Sequence, residues 1–325
     1  MPKKYIIILS LFLIALLALT LVLAFALKAE DKALLPISSE KVANDRFCLL
    51  VLGKDRASGL CDVMMLVSID PEQNAISVMQ IPRDTYADYG NRYHKKLNTA
   101  LKLLGAEEAL CEFLSKNLGV AIDGYLTLEL DAFRKAVDAL GGVRMYLPSR
   151  LYYSDPEQGL YIDLPAGEQL LDGEAAEKVV RYRKGYAGGD IDRLDVQKRF
   201  LAALFRTVRE KVDASNIYGL LREIFPHVST NVGLPLAVAL GIKALDVEPD
   251  SLCLMTLPGE AVVGDSGASF YALAKAPARE MIEVYFKESG ELDPDLVFCN
   301  SKNERFVAIY EKQTEFSISH GNEFE

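Results

Sequence analysis

Disulfide and metal chemistry have little to work with in this chain, which holds five cysteines (Cys48, Cys61, Cys111, Cys253, Cys299) and three histidines (His94, His227, His320) in 325 residues. The cysteines are odd in number and widely spaced, which fits neither a disulfide framework nor a paired metal motif. They read as small buried hydrophobes. The histidines are dispersed, against a His-rich zinc site. Positive charge is scarce too: 36 Lys and Arg face 46 Asp and Glu, a formal net charge of -10. Nucleic-acid binding needs a broadly basic surface, so no nucleic-acid partner is expected and any anion site has to be local. The sequence shows no internal repeat and no low-complexity block.

What is present begins with apolar material. Half of the residues are hydrophobic (50%), enough for a substantial core in one large domain or two modest ones. Residues 5–27 carry no charge and are long enough to cross a bilayer core of about 30 Å. Lys3 and Lys4 precede the run, which predicts a cytoplasmic stub at 1–4 and everything after Lys28 outside. Ala24-Phe25-Ala26 resembles a small-x-small cleavage site, but the run exceeds a usual signal-peptide core, which favours an uncleaved signal anchor. Residues 28–45 are polar and aperiodic, a linker.

Beyond it, apolar runs at 47–53, 63–69 and 75–81 predict strands, the last two forming a hairpin about "DPEQN". Further strands are predicted at 124–130, 143–148 and 252–259. Helical spacing predicts helices at 97–104, 107–118 and 131–140, the last two stopped by Gly119 and Gly141-Gly142. Asp172 is placed to cap a helix through Val180. Longer helices follow at 194–212, 215–225, 234–246 and 277–288. Helices alternating with apolar strands imply an α/β fold, a mixed central β-sheet covered by helices on both faces, preceded by one N-terminal transmembrane helix. The domain is expected over 46–290, and 291–325 reads as a loosely held polar tail.

The stretch "VVRYRKGYAGGDIDRLDVQKRF" (179–200) gathers cations in an acidic chain. On its helix the apolar stripe Leu201, Leu204, Val208 and Val212 extends backwards to Gln197 and Arg193, which points both inward, with Lys198 and Arg199 on the solvent side. The other reading is a solvated first turn. Arg181 and Arg183 share a face if their segment is extended, and planar guanidinium forks suit phosphate oxygens. Asp55 and Asp62 lie at adjacent strand ends, where two carboxylates beside phosphate suit a hard cation, Mg²⁺ or Mn²⁺. Either could equally be a turn former. In "IPRDT", Arg83 and Asp84 follow a buried strand, a place where an ordinary ion pair is common.

These pieces occur in a characteristic order. "GKD", "CDVMMLVSID", "IPRDTY", "KLN", "VDALGGV", "LDGEAAEKVVRYR" and "GDIDRLDVQKRF" resemble, over about 47–212, the LytR-CpsA-Psr family. The resemblance implies a membrane-anchored, extracytoplasmic phosphotransferase. Such a protein moves an anionic glycopolymer, for example wall teichoic acid or capsular polysaccharide, from undecaprenyl pyrophosphate to peptidoglycan. It also implies that Asp55 and Asp62 are metal-associated and that Arg83 stands near the scissile phosphate. Lys96, Arg181, Arg183, Arg193 and Gln197 would hold the pyrophosphate, and Asp190 would orient an arginine. Asp84 and Asp62 are the candidate general bases. The chain departs from the family at Cys61 and Val63, where Ser and Thr are usual. Two other expectations keep the same fold: a polyprenyl-pyrophosphate pyrophosphatase, and a non-catalytic wall-associated binding or regulatory protein.

Overall fold

The computed structural model describes residues 46–55, 58–89, 95–155, 160–182, 190–264, 267–286, 307–311 and 315–317. The expected membrane segment and linker, 5–45, lie outside these residues. Among the described residues no helix is long and apolar enough to cross a membrane. In chain order the strands are β1 (Phe47–Lys54), β2 (Cys61–Asp70), β3 (Ala75–Gln80), β4 (Gly124–Glu129), β5 (Val143–Leu147), β6 (Leu151–Asp155), β7 (Leu160–Leu164), β8 (Gly167–Leu171), β9 (Val228–Thr230), β10 (Leu252–Thr256), β11 (Gly259–Val263), β12 (Ser269–Leu273), β13 (Val307–Glu311) and β14 (Glu315–Ser317). The α-helices are α1 (Ala100–Leu104), α2 (Glu107–Leu118), α3 (Leu130–Ala139), α4 (Gly173–Arg181), α5 (Asp190–Lys211), α6 (Ile217–Ile224), α7 (Leu234–Leu245) and α8 (Lys275–Phe286).

A seven-stranded sheet, ordered β14-β10-β3-β2-β1-β4-β9, forms the centre. Pairing is parallel for β1 with β4 and for β3 with β10, and antiparallel elsewhere, so the sheet is mixed. Consequently β1, β3, β4 and β10 all run one way, and their carboxyl ends meet at one edge. The β2–β3 hairpin turns at Asp70, whose Oδ1 accepts from Gln73 N at 3.0 Å, and at Asn74, which takes φ 50°. Asn tolerates that left-handed conformation better than most residues.

Strand alternation sorts the apolar side chains onto two faces. Leu50, Leu52, Met64, Leu66, Met79 and Met255 pack with Leu110, Leu114 and Leu118 of α2 and with Ile282 and Phe286 of α8. Met65, Ile76, Val78, Leu252 and Leu254 pack on the other face with Leu201, Ala202 and Phe205 of α5 and Ala244 of α7. A further core joins α3, α4 and α5 to the small sheets β5-β8 and β6-β7.

Two expectations about α5 are corrected. Its most buried line runs through Val196, Phe200, Ala203 and Thr207, while Leu201, Leu204 and Val208 are only partly buried. Lys198, expected on the solvent side, is 3% exposed. The reason is that α5 touches three apolar clusters, so that among its described side chains only Arg206, Glu210 and Lys211 are exposed. The stretch after 290, expected as a loose tail, contributes β13, paired with β11, and β14, paired with β10. Alternating "VAIYE" and short "EFS" suit brief outer strands, which polar composition alone conceals.

Candidate active site

The site forms where the co-directional strands end, the usual place for ligands in open α/β sheets. β1 leaves the sheet through Asp55, whose Oδ1 accepts from Ser58 N at 2.7 Å and from Ser58 Oγ at 3.0 Å, while its N–H donates to Leu60 O at 2.9 Å. Asp55 therefore shapes the β1–β2 turn. Opposite, the ladder shifts register: Gly53 pairs Val63 and Lys54 pairs Cys61, leaving Asp62 as the extra residue of a bulge. Bulges re-aim side chains at sheet ends. A Cβ on Gly53 would stand 2.9 Å from Val63 Cβ, so the strand beside the bulge needs glycine.

The β2–β3 register supplies the partner for Asp62. Met65 pairs Gln80 and Ile81 N donates to Met64 O at 2.8 Å, so continuing the ladder sets Asp62 across from Arg83. Arg83 Nη1 donates to Asp62 Oδ1 at 2.6 Å. Asp84 takes no part in that pair: its Oδ1 meets Lys96 Nζ at 3.2 Å. The backbone here is held on both sides. Asn98 N donates to Arg83 O, Leu97 N to Thr85 O and Ala87 N to Lys95 O, each at 2.9 Å, while Tyr271 N of β12 donates to Asp84 O at 2.8 Å. Lys96 also stands 5.8 Å from the Phe270 ring centroid. Asp62, Arg83, Asp84 and Lys96 are thus brought together.

Arg181 does not lie on an extended segment. It is the last residue of α4, whose N-cap Asp172 accepts from Ala175 N at 2.8 Å, and its Nη1 donates to Glu177 Oε1 one turn back at 2.7 Å. An i,i+4 Glu–Arg pair and a capped start favour helix over strand. Glu177, missed in the sequence, also meets Arg134 Nη1 at 3.2 Å through its second oxygen. Gln197 points inward, 4% exposed. Its Nε2 donates to Val180 O at 3.2 Å and its Oε1 accepts from Gln80 Nε2 at 3.3 Å. Gln80 was also missed; the available signal was an amide inside the apolar run "AISVMQI". Arg183 and the side chains of Asp190 and Arg193 lie outside the described residues.

Cys61 and Val63 each face an apolar cluster, on opposite sides of the sheet. Burial pushes the Cys61 thiol up to about 12, against the pull of Lys54, so it stays protonated and is no nucleophile. As for Mg²⁺, no group of three acidic, His or Cys side chains is gathered among the described residues. The donor chemistry still fits, since Mg²⁺ commonly takes one or two carboxylates and completes its shell with water and substrate phosphate. Asp62, with a 42% exposed side chain engaged through Oδ1, is open to such an ion, and Asp55 follows the adjoining strand.

The LytR_cpsA_psr family model matches residues 24–286. The polyisoprenyl-teichoic acid–peptidoglycan teichoic acid transferase TagV of Bacillus subtilis is 25% identical over 258 residues, covering 77% of this chain and 66% of TagV. The probable cell wall biosynthesis protein LcpB of Corynebacterium glutamicum is 33% identical over 181 residues, covering 56% of this chain and 41% of LcpB. The chain therefore spans less than two thirds of the length of these curated relatives. Among solved structures, B. subtilis TagV superposes with a TM-score of 0.65 at 23% identity, covering 75% of this chain and 98% of that one. TagT bound to LI-WTA gives 0.61 at 21%, covering 77% and 93%. At these identities the structural likeness is one of fold.

Proposed function

Because the chain belongs to the LytR_cpsA_psr family, we propose that it is a phosphotransferase that attaches an anionic glycopolymer, carried on polyprenyl pyrophosphate, to peptidoglycan. The observation that carries this reading is Arg83, set by Asp62 at the open end of the sheet, with Lys96 paired to the next residue, Asp84. Each cation rests on a carboxylate: Arg83 on Asp62, Lys96 on Asp84, Arg181 on Glu177. Such pairing holds positive groups in place before the ligand arrives, the preorganisation that phosphoryl transfer depends on.

In the reaction a peptidoglycan sugar hydroxyl attacks the phosphorus bearing the glycopolymer. A new P–O bond forms, the bridging P–O bond breaks, and polyprenyl phosphate leaves with the bonding electrons. Arg83 stabilises charge on the non-bridging oxygens, and Lys96 and Arg181 hold the leaving phosphate. The hydroxyl proton passes to Asp62 or Asp84. A bound Mg²⁺ or Mn²⁺, held by Asp62 and Asp55, would add neutralising charge at the phosphate oxygens. The purified chain, given a polyprenyl-pyrophosphate glycopolymer, a glycan acceptor and Mg²⁺, is expected to yield the glycan-linked polymer by mass spectrometry. Release of free phosphorylated polymer in equal amount with and without acceptor would make it a pyrophosphatase instead, and no turnover would make it a binding protein.

The reading also places the chain on the cell membrane, anchored by 5–27 with the catalytic domain outside. Protease applied to intact cells is expected to remove the folded domain. Digestion only after lysis would reverse the topology.

A further inference from the structure

A buried chain of hydrogen bonds links β10, β3, α5 and α4. Thr256 Oγ1 at the end of β10 donates to Gln80 Oε1 at 3.1 Å. Gln80 Nε2 donates to Gln197 Oε1 of α5 at 3.3 Å, and Gln197 Nε2 donates to Val180 O of α4 at 3.2 Å. Thr256 and Gln80 are each 1% exposed and Gln197 is 4% exposed. The direction of the chain is determined from its far end. A carbonyl can only accept, so Gln197 must turn its NH₂ to Val180. Its oxygen then faces Gln80, which must present NH₂, and the Gln80 oxygen is left for the Thr256 hydroxyl. Val180 O is among the last carbonyls of α4, groups that an α-helix leaves without an internal partner.

Three of the four elements joined this way, β3, α5 and α4, carry or lead to the cations. Arg83 follows Gln80 closely in the chain, Arg193 precedes Gln197 by one helical turn, and Arg181 directly follows Val180. The Gln197 amide is thus tied inside the protein at both of its polar ends, with one N–H of Nε2 not used by these two bonds. We propose that Gln80 is a positioning residue: through a one-way amide relay with Gln197 it ties the strand that leads to Arg83 to the helix end that carries Arg181, and thereby sustains the preference for a lipid diphosphate over a monophosphate. The proposal rests on the phosphotransferase reading above.

Gln80→Glu keeps the size but cannot donate when ionised. Gln197 would then have to turn its NH₂ toward the new carboxylate, setting its oxygen against Val180 O, and the relay would break at α4. Thr256→Val removes only the first link and leaves the rest intact. Binding of geranylgeranyl pyrophosphate and geranylgeranyl phosphate to the full chain in detergent would be measured by calorimetry, with the melting temperature of each variant.

At pH 8, Gln80→Glu is expected to lose about tenfold of the wild-type preference for the diphosphate, the size of one charge-assisted hydrogen bond or less. Thr256→Val is expected to keep that preference. Lowering the pH should restore it in Gln80→Glu, because a buried carboxyl protonates readily and its O–H can again donate to Gln197. Gln80→Met, an apolar variant of similar length, covers the case in which the carboxylate prevents folding, and it should lose the preference at every pH. An unchanged preference in the folded Gln80 variants, or a loss in Thr256→Val as large as in Gln80→Glu, overturns the relay. Wild-type protein that binds both lipids equally overturns the phosphotransferase reading itself.

Discussion

Arg83→Ala is expected to lower the turnover of glycopolymer transfer by about 10²- to 10³-fold, the usual loss when one preorganised donor to a developing oxyanion is removed. Its effect on stability should be small. The Asp62–Arg83 pair has side chains 42% and 18% exposed, and an ion pair in contact with water contributes about 0–1 kcal/mol after screening. The backbone at Arg83 does not depend on the side chain either, since Asn98 N holds its carbonyl. Arg83→Lys would keep the charge but lose the planar fork, so only part of the activity should return. A variant that melts many degrees lower, with transfer per folded molecule unchanged, would make Arg83 a structural residue. Single-turnover kinetics and thermal melting on the same preparations separate these outcomes.

Much of the scaffold was legible because its signals are local. The runs that became β1, β2 and β3 are apolar and bounded by turn residues, and Gly119 ends α2 with φ 64° as its position suggested. The pairing of Arg83 was harder to see. It depends on counting the hairpin register outward from the turn at Asn74, and then on a bulge at Asp62 that one strand alone does not announce. Arg181 was misplaced for a different reason. The helix capped by Asp172 was expected to end at Val180, and only the pairing with Glu177 one turn earlier shows that it continues through Arg181. The relay was invisible because its members are far apart in sequence: Gln80 meets Gln197 across 117 positions and Thr256 across 176. A lone polar residue in an apolar strand signals that a partner exists, but not which one.

The same geometry alters what Asp62 can be asked. A carboxylate at this bulge could act by holding Arg83, by helping to bind a divalent ion or by accepting the hydroxyl proton, and the Mg²⁺ response of Asp62→Asn separates the metal role from the other two. Asparagine keeps an oxygen that can accept from Arg83 Nη1, so the orientation of the arginine should survive the substitution. What is lost is the negative charge that a hard divalent cation requires. Transfer is therefore expected to fall by about two orders of magnitude, with the half-saturating Mg²⁺ concentration raised and part of the activity recovered at high Mg²⁺. Calorimetry should show weaker Mg²⁺ binding in the variant, and the melting temperature should move little, since the pair is partly exposed. If Asp62 serves only to position Arg83, the activity loss would be small and the Mg²⁺ response that of wild type. If it is chiefly a structural member of the bulge, the protein would melt earlier and any remaining activity would again keep the wild-type Mg²⁺ dependence. A Mg²⁺ titration alongside a thermal melt therefore assigns the carboxylate, and an unshifted titration would remove Asp62 from the metal site.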